Sequence, residues 1–295
     1  MRERALVLGG GGASGNAWVI GVIAGLFDAG MNVTESDLIV GTSAGATAAA
    51  QLTSAIEPPA LLADILAPAP TATDSSSSDR ERVPNRPAGN HMEMTGGIIA
   101  AASTAADMRR RMGAALLERS EALGIAAQAR WRATVAARLR GHQWPQRPLL
   151  ITAVDADTGE PVVFDRHGAV DLVDAVAAST SGGFAYTVGN HRYFDGGYRA
   201  NENADLAAGY ARVLVLSPLG GRTRHPLAWR TSLAAHVDEL RARGSMVETI
   251  FPDAESQRAL GAGMSLMDLS ARAPSARAGY EQGRARAEQL EELWR

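Results

Sequence analysis

The sequence predicts an α/β fold built on a central, mostly parallel sheet, and three observations lead there. Ala5–Leu8 is a short, continuously apolar run that ends in a glycine turn and gives way to Asn16–Ala29, where Trp18, Val19, Val22, Ile23, Leu26 and Phe27 recur at helical spacing. Asp37–Val40 repeats the pattern, with a second glycine-rich turn followed by the small-residue helix Ala44–Ser54. Strand-like segments then return in the second half as Leu149–Val154, Val162–Phe164, Arg192–Phe194 and Val213–Leu216, the last expected strand. Apolar runs without alternation suit strands covered on both faces, as in parallel sheets flanked by helices.

Taken in order, Gly30 is the expected stop of the first helix. After Leu66 the composition changes sharply. Ala67–Gly97 is rich in Pro, Ser, Thr, Asp and Arg and almost free of large apolar side chains before Met92, so it is expected to be a flexible insertion, with a substrate-access lid as the alternative. Ile98–Arg140 is expected to be helical, Asp155–Gly159 a turn between strands, and Val170–Ala178 a helix. From 226 to 295 the chain reads as a helical extension whose last stretch, GYEQGRARAEQLEELWR, is amphipathic. The expectation is a single domain over 1–295 with its core at about 5–217.

Composition narrows the function. The chain has 295 residues, 46% of them hydrophobic, and a net charge of −3, so no nucleic-acid partner is implied. It has no cysteine, which removes disulfides, thiolate metal sites and a cysteine nucleophile; every basic residue other than histidine is arginine. The N-terminus has no signal-peptide pattern and no window has the apolar length of a transmembrane helix, so a cytoplasmic protein is expected; any membrane or micelle contact would be peripheral, with Ala67–Gly97 and the C-terminal helix as candidates for it, although solvent exposure and core packing are their plainer uses.

The second glycine turn, IVGTSAGA, contains Gly41-x-Ser43-x-Gly45 between a strand and a helix. A nucleophile elbow needs that context: the serine sits on a sharp turn, its neighbours must be small, and the next helix aims its N-terminal amides at developing negative charge. The plainer possibility is a helix-capping serine between two incidental glycines. A base is also needed. His225 and His236 follow in the order of an α/β-hydrolase triad, but neither occupies a strand-end turn, and His91 and His142 lie in expected loops. Asp195, closing a strand before Gly196 and Gly197, is a carboxylate that could take the serine proton directly, although Asp-Gly-Gly is also a common turn.

The first turn, LVLGGGGASG, has two uses as well. Gly10-x-Gly12-x-x-Gly15 matches the spacing of a dinucleotide loop, and a Rossmann-type nucleotide-binding protein is the alternative function. That role wants an acidic residue at the end of the second strand; Glu35 and Asp37 precede the strand, and Gly41-Thr42-Ser43 stands at its end. An oxyanion hole of glycine amides beside the serine fits better. No metal or organic cofactor is expected.

Together, GGGGASG, GTSAG and DGG resemble the three motifs of the patatin-like phospholipase family, and the similarity extends over Ala5–Leu52 and Pro148–Ser217. The resemblance implies a three-layer α/β/α sandwich with extra C-terminal helices. It implies a serine hydrolase cleaving carboxylic esters of lipids through a Ser–Asp dyad without histidine. By position, Ser43 would be the nucleophile, Asp195 the base, and the amides of Gly10, Gly11 and Gly12 the oxyanion hole. Two departures stand out: Ser14 occupies a place where the family usually has arginine, and STSGGFAYTVG and NENADLA replace its proline-containing segments. A catalytically silent interaction module that keeps the fold is the third possibility.

Overall fold

A computed structural model describes residues 3–67, 88–261 and 266–294. Its centre is a sheet of eight strands: β1 (Arg4–Leu8), β2 (Leu38–Gly41), β3 (Leu149–Asp155), β4 (Pro161–Phe164), β5 (Tyr186–Val188), β6 (His191–Asp195), β7 (Arg212–Leu216) and β8 (Met246–Ile250). The order is β5-β6-β3-β2-β1-β7-β8, with β4 also paired to β3. From β3 through β8 all neighbours run parallel, whereas β4 and β6 run antiparallel to β3.

Alternation along these strands creates the layers. Leu6 and Leu8 of β1, Ile39 of β2 and Leu214 and Leu216 of β7 face one apolar core with helices α1 (Gly12–Asp28), α2 (Ala44–Leu52), α3 (Pro58–Leu66), α6 (Leu172–Ser179) and α9 (Arg272–Trp294). Ala5, Val7, Leu38, Val40, Val213 and Val215 face the opposite core, closed by the 3₁₀ turn Ala204–Ala207 and helix α7 (Leu233–Ala242). Burial on both faces explains why β1, β2 and β7 read as continuous apolar runs. Helices α4 (Ala88–Ala101) and α5 (Ala105–Arg138) pack over the β3–β6 side, and α8 (Ala254–Ala259) precedes α9.

Three expectations need correction. Val213–Leu216 is not the last strand: β8 extends the sheet from within the expected helical tail, and its mixed composition, MVETI, gave little apolar signal because it is an edge strand with Met246 and Glu248 exposed. The expected flexible insertion, Ala67–Gly97, lies outside the described residues over 68–87, but from Ala88 onward it is helix α4, where Ile98 and Ile99 continue a packed face. The helix expected over Ile98–Arg140 is interrupted at residues 102–104 and kinked at Gly124, whose φ of 71° is non-helical.

Within the first of these cores, α1 and α9 cross unusually closely. Gly21 and Gly25 of α1 lie against Ala276 and Tyr280 of α9, Gly279 and Gly283 lie against Trp18 and Val22, and a Cβ on Gly25 would land on the carbonyl oxygen of Tyr280. Among the described residues no helix is long and apolar enough to cross a membrane.

Candidate active site

The site lies where two strands meet end to end. β2 pairs with β3 at Leu149–Ile151, β6 pairs with it at Ala153–Asp155, and β4 covers Ile151–Val154. Because β4 overlaps both partners, it must take the other edge of β3, leaving β2 and β6 on a shared edge. They run in opposite directions, so their C-terminal ends face each other across Thr152. Each end carries one reactive side chain: Ser43 just beyond Gly41, and Asp195 opposite Ala153.

The Ser43 hydroxyl donates to Asp195 Oδ2 at 2.7 Å. Ser43 has φ 53° and ψ −119°, a left-side backbone that a side chain adopts only when its surroundings enforce it. Enforcement comes from tight packing of the motif glycines. A Cβ on Gly45 would strike the carbonyl oxygen of Leu8, and one on Gly41 would lie 2.6 Å from Ala46 Cα. The Ser43 amide donates to Ser179 Oγ at 3.0 Å. Underneath, Thr42 Oγ1 and Thr152 Oγ1 are 2.9 Å apart, and the buried Asn203 amide reaches both hydroxyls and the Gly196 carbonyl.

Asp195 accepts from the Gly197 amide through Oδ1 at 2.8 Å. Gly196 admits this turn: a Cβ there would sit on the Thr152 hydroxyl. Burial raises the carboxyl's pKa, opposed by the hydrogen bonds from Ser43 and Gly197, to about 6. Tyr198 stands beside it; its hydroxyl donates to Gly182 O at 3.0 Å and lies 3.2 Å from His91 Nε2. Among the described residues no histidine bonds to Ser43: His225 pairs with Thr231, and His236 faces Asp205.

The first glycine loop runs beside the serine. A Cβ on Gly10 would be 3.4 Å from Ser43 Cβ. One expected donor is lost, however. The Gly9 amide continues the ladder to Leu216 O, and the Gly10 amide donates to Asn201 O at 3.0 Å, so Gly10 is not available to an oxyanion. Among the described residues the amides of Gly11 and Gly12 have no intramolecular acceptor, and Gly12 lines a cavity with Ser43. Gly12 has φ 63°, Gly11 packs 2.6 Å (as a Cβ) from Pro218, and Gly15 packs on the same proline. The N-termini of α1 and α2 both point here, placing two positive dipole ends at one spot.

Ser14 now has a physical role. It is fully buried, and its amide and hydroxyl both donate to Leu266 O, at 3.1 and 3.3 Å. The acidic residue of the nucleotide alternative is also misplaced: Asp37 accepts from the amides of Glu3 and Arg4, at the end of β1 remote from the glycine loop.

The patatin-like phospholipase family model matches residues 6–208, well over half of the sequence. The chain belongs to the patatin-like phospholipase family. No curated protein matches. Among solved structures, the type III effector protein ExoU aligns over 96% of this chain and 54% of its own, at 16% identity and a TM-score of 0.35, too low to support any inference. This chain thus spans about half the length of that protein. The patatin-like match stops at 208, so β7, α7, β8, α8 and α9 lie beyond it.

Sequence reasoning missed several residues of this patatin-like site. Ser179, Asn201 and Asn203 lie in the very segments, STSGGFAYTVG and NENADLA, that depart from the family pattern; their polar residues in a buried context were the available signal. Arg138 and Arg272, which also line the Ser43 cavity, come from helices whose sequence carries no site signal.

Proposed function

We propose that the chain is a serine hydrolase that cleaves carboxylic esters of lipids, of phospholipase A, lysophospholipase or esterase type, through a Ser43–Asp195 dyad. The observation that carries this is the 2.7 Å hydrogen bond from the Ser43 hydroxyl to a carboxylate held at the opposing strand end. Family membership supports the lipid ester as substrate class.

In the first step Asp195 takes the hydroxyl proton as Ser43 Oγ attacks the ester carbonyl. A base with a pKa near 6 is ionised at neutral pH and still basic enough to share the proton in the transition state. The tetrahedral oxygen receives the amides of Gly11 and Gly12 at the positive end of α1; donors of this kind contribute about 3–4 kcal/mol each to the transition state. Collapse expels the alcohol, which collects the proton from Asp195, and water activated by the same carboxylate releases the acyl group. Gly15, Gly41, Gly45, Gly196 and Gly197 serve the geometry rather than the chemistry.

The Ser43 cavity measures about 60 Å³. Sites that enclose a small molecule run to roughly 300–1,000 Å³. Only the reacting carboxyl fits inside, and the rest of the substrate lies outside the mouth, as suits a molecule presented from a micelle or membrane. The test is hydrolysis of short p-nitrophenyl esters by wild type, Ser43→Ala and Asp195→Asn, each checked for folding, with a fluorophosphonate probe mapped to its site of attachment. Both variants should lose turnover by at least a thousandfold, and the label should sit on Ser43; near-normal turnover in either variant removes the dyad.

A further inference from the structure

The wall of the Ser43 cavity carries two guanidinium groups that play no part in the dyad. Arg138, the last residue of α5, and Arg272, the first of α9, line it with Asn16, Thr47 and Trp131. Other arginines are neutralised nearby: Arg132 by Asp171 and Asp174, Arg192 by Asp157, Arg199 by Asp205. Arg138 and Arg272 have no carboxylate partner among the described residues.

Both are nonetheless held in place. The Arg138 guanidinium lies 5.4 Å from the centre of the Trp131 ring, and that indole is pinned by its N–H to Ala177 O at 3.1 Å. Arg272 donates through Nη1 to Ala13 O at 3.2 Å and Asn16 Oδ1 at 3.3 Å; its Nε and Nη2 have no partner among the described residues. Burial lowers the pKa of both groups, and the Arg138 charge lowers that of Arg272 further. Two like charges side by side at a partly desolvated mouth are unfavourable until an anion joins them. The Arg138 guanidinium is packed by its neighbours on one side while the residue as a whole stays exposed, and Arg272 is half-buried, so an anion can arrive from solvent.

We propose that Arg138 and Arg272 form an anion subsite at the mouth of the Ser43 cavity and select acyl esters that carry a phosphate or carboxylate a short linker away from the scissile bond. The subsite's role in selection rests on the hydrolase function proposed above. The cavity holds little more than the reacting carboxyl, so an anion on the same molecule comes to lie at its rim. Two planar guanidinium forks offer paired donors to an oxyanion, a geometry a lysine pair would not reproduce.

The test compares three monomeric lauroyl esters: lauroyl glycerol, lauroyl glycerol phosphate and the lauroyl ester of hydroxypropanoate. For wild type, kcat/KM on at least one anionic ester should exceed that on lauroyl glycerol by tenfold or more, and the better of the two identifies phosphate or carboxylate as the ligand. In Arg138→Gln and Arg272→Gln the anionic-to-neutral ratio should fall at least tenfold, mainly through KM, with Arg272→Lys intermediate. An absent preference in wild type, or an unchanged ratio in both glutamine variants, overturns the subsite. Arg138 is solvent-exposed, so its variant keeps the test decisive if Arg272→Gln fails to fold. Calorimetric binding of lauroyl glycerol phosphate to Ser43→Ala protein, with and without Arg138→Gln, separates the two proposals. If no ester is turned over, the hydrolase function falls, while the anion site stands or falls on whether that binding is present and lost with Arg138.

Discussion

Asp195→Asn should stabilise the protein at the pH where it abolishes activity. The carboxyl's pKa is about 6 in the folded chain against 3.8 for an ordinary aspartate, chiefly because it is buried. The folded state therefore binds this proton more tightly than the unfolded state. Asp195's contribution to stability is complete below about pH 4 and is lost as pH rises through 6. At 1.36 kcal/mol per unit, a shift from 3.8 to about 6 makes ionised Asp195 cost about 3 kcal/mol at pH 8. Asparagine does not titrate, still accepts from the Gly197 amide, and can donate to Ser43 Oγ. The stability difference between variant and wild type should thus move by about 3 kcal/mol in the variant's favour between pH 4 and pH 8. Urea unfolding followed by tryptophan fluorescence at both pH values measures it. A difference that stays constant with pH, or moves the other way, refutes the claim that a buried charge is stored at this strand end for catalysis.

The same carboxylate sets the rate profile: kcat/KM for a neutral p-nitrophenyl ester should fall tenfold per pH unit below about 6 and level off above 7, as stopped assays across pH 4–8 would show. Ser179→Ala removes the acceptor of the Ser43 amide; it should cost about 1–3 kcal/mol in urea unfolding and lower kcat more than it changes KM. Gly25→Ala drives a methyl group onto the Tyr280 carbonyl across the α1–α9 crossing and should destabilise by at least about 1–3 kcal/mol in thermal unfolding, with activity retained in whatever fraction stays folded.

Much of the fold was legible because it is local. Two apolar runs, each with a glycine turn and a helix behind it, predict β1-α1 and β2-α2 whatever the rest of the chain does, since continuous burial and helical periodicity are properties of neighbouring residues. The polar edge strand β8 was not legible, because an edge strand needs no apolar run and its partner β7 lies a helix away in sequence.

The candidate site divides in the same way. Ser43 on its turn, Asp195 at a strand end and the glycine loop were marked by local chemistry: small residues where backbone must approach backbone, and a reactive side chain where a strand stops. What tertiary structure decided was their meeting. β2 and β6 share one edge of β3 from opposite directions, and only that pairing brings a hydroxyl and a carboxylate from distant parts of the chain within 2.7 Å. It also decided which amides remain free, because Asn201 captures Gly10, and which cations face the pocket, because α5 and α9 deliver Arg138 and Arg272 there. Periodicity and motif spacing record how each segment buries itself; strand pairing and helix docking are chosen by surfaces that come together only when the whole chain has folded.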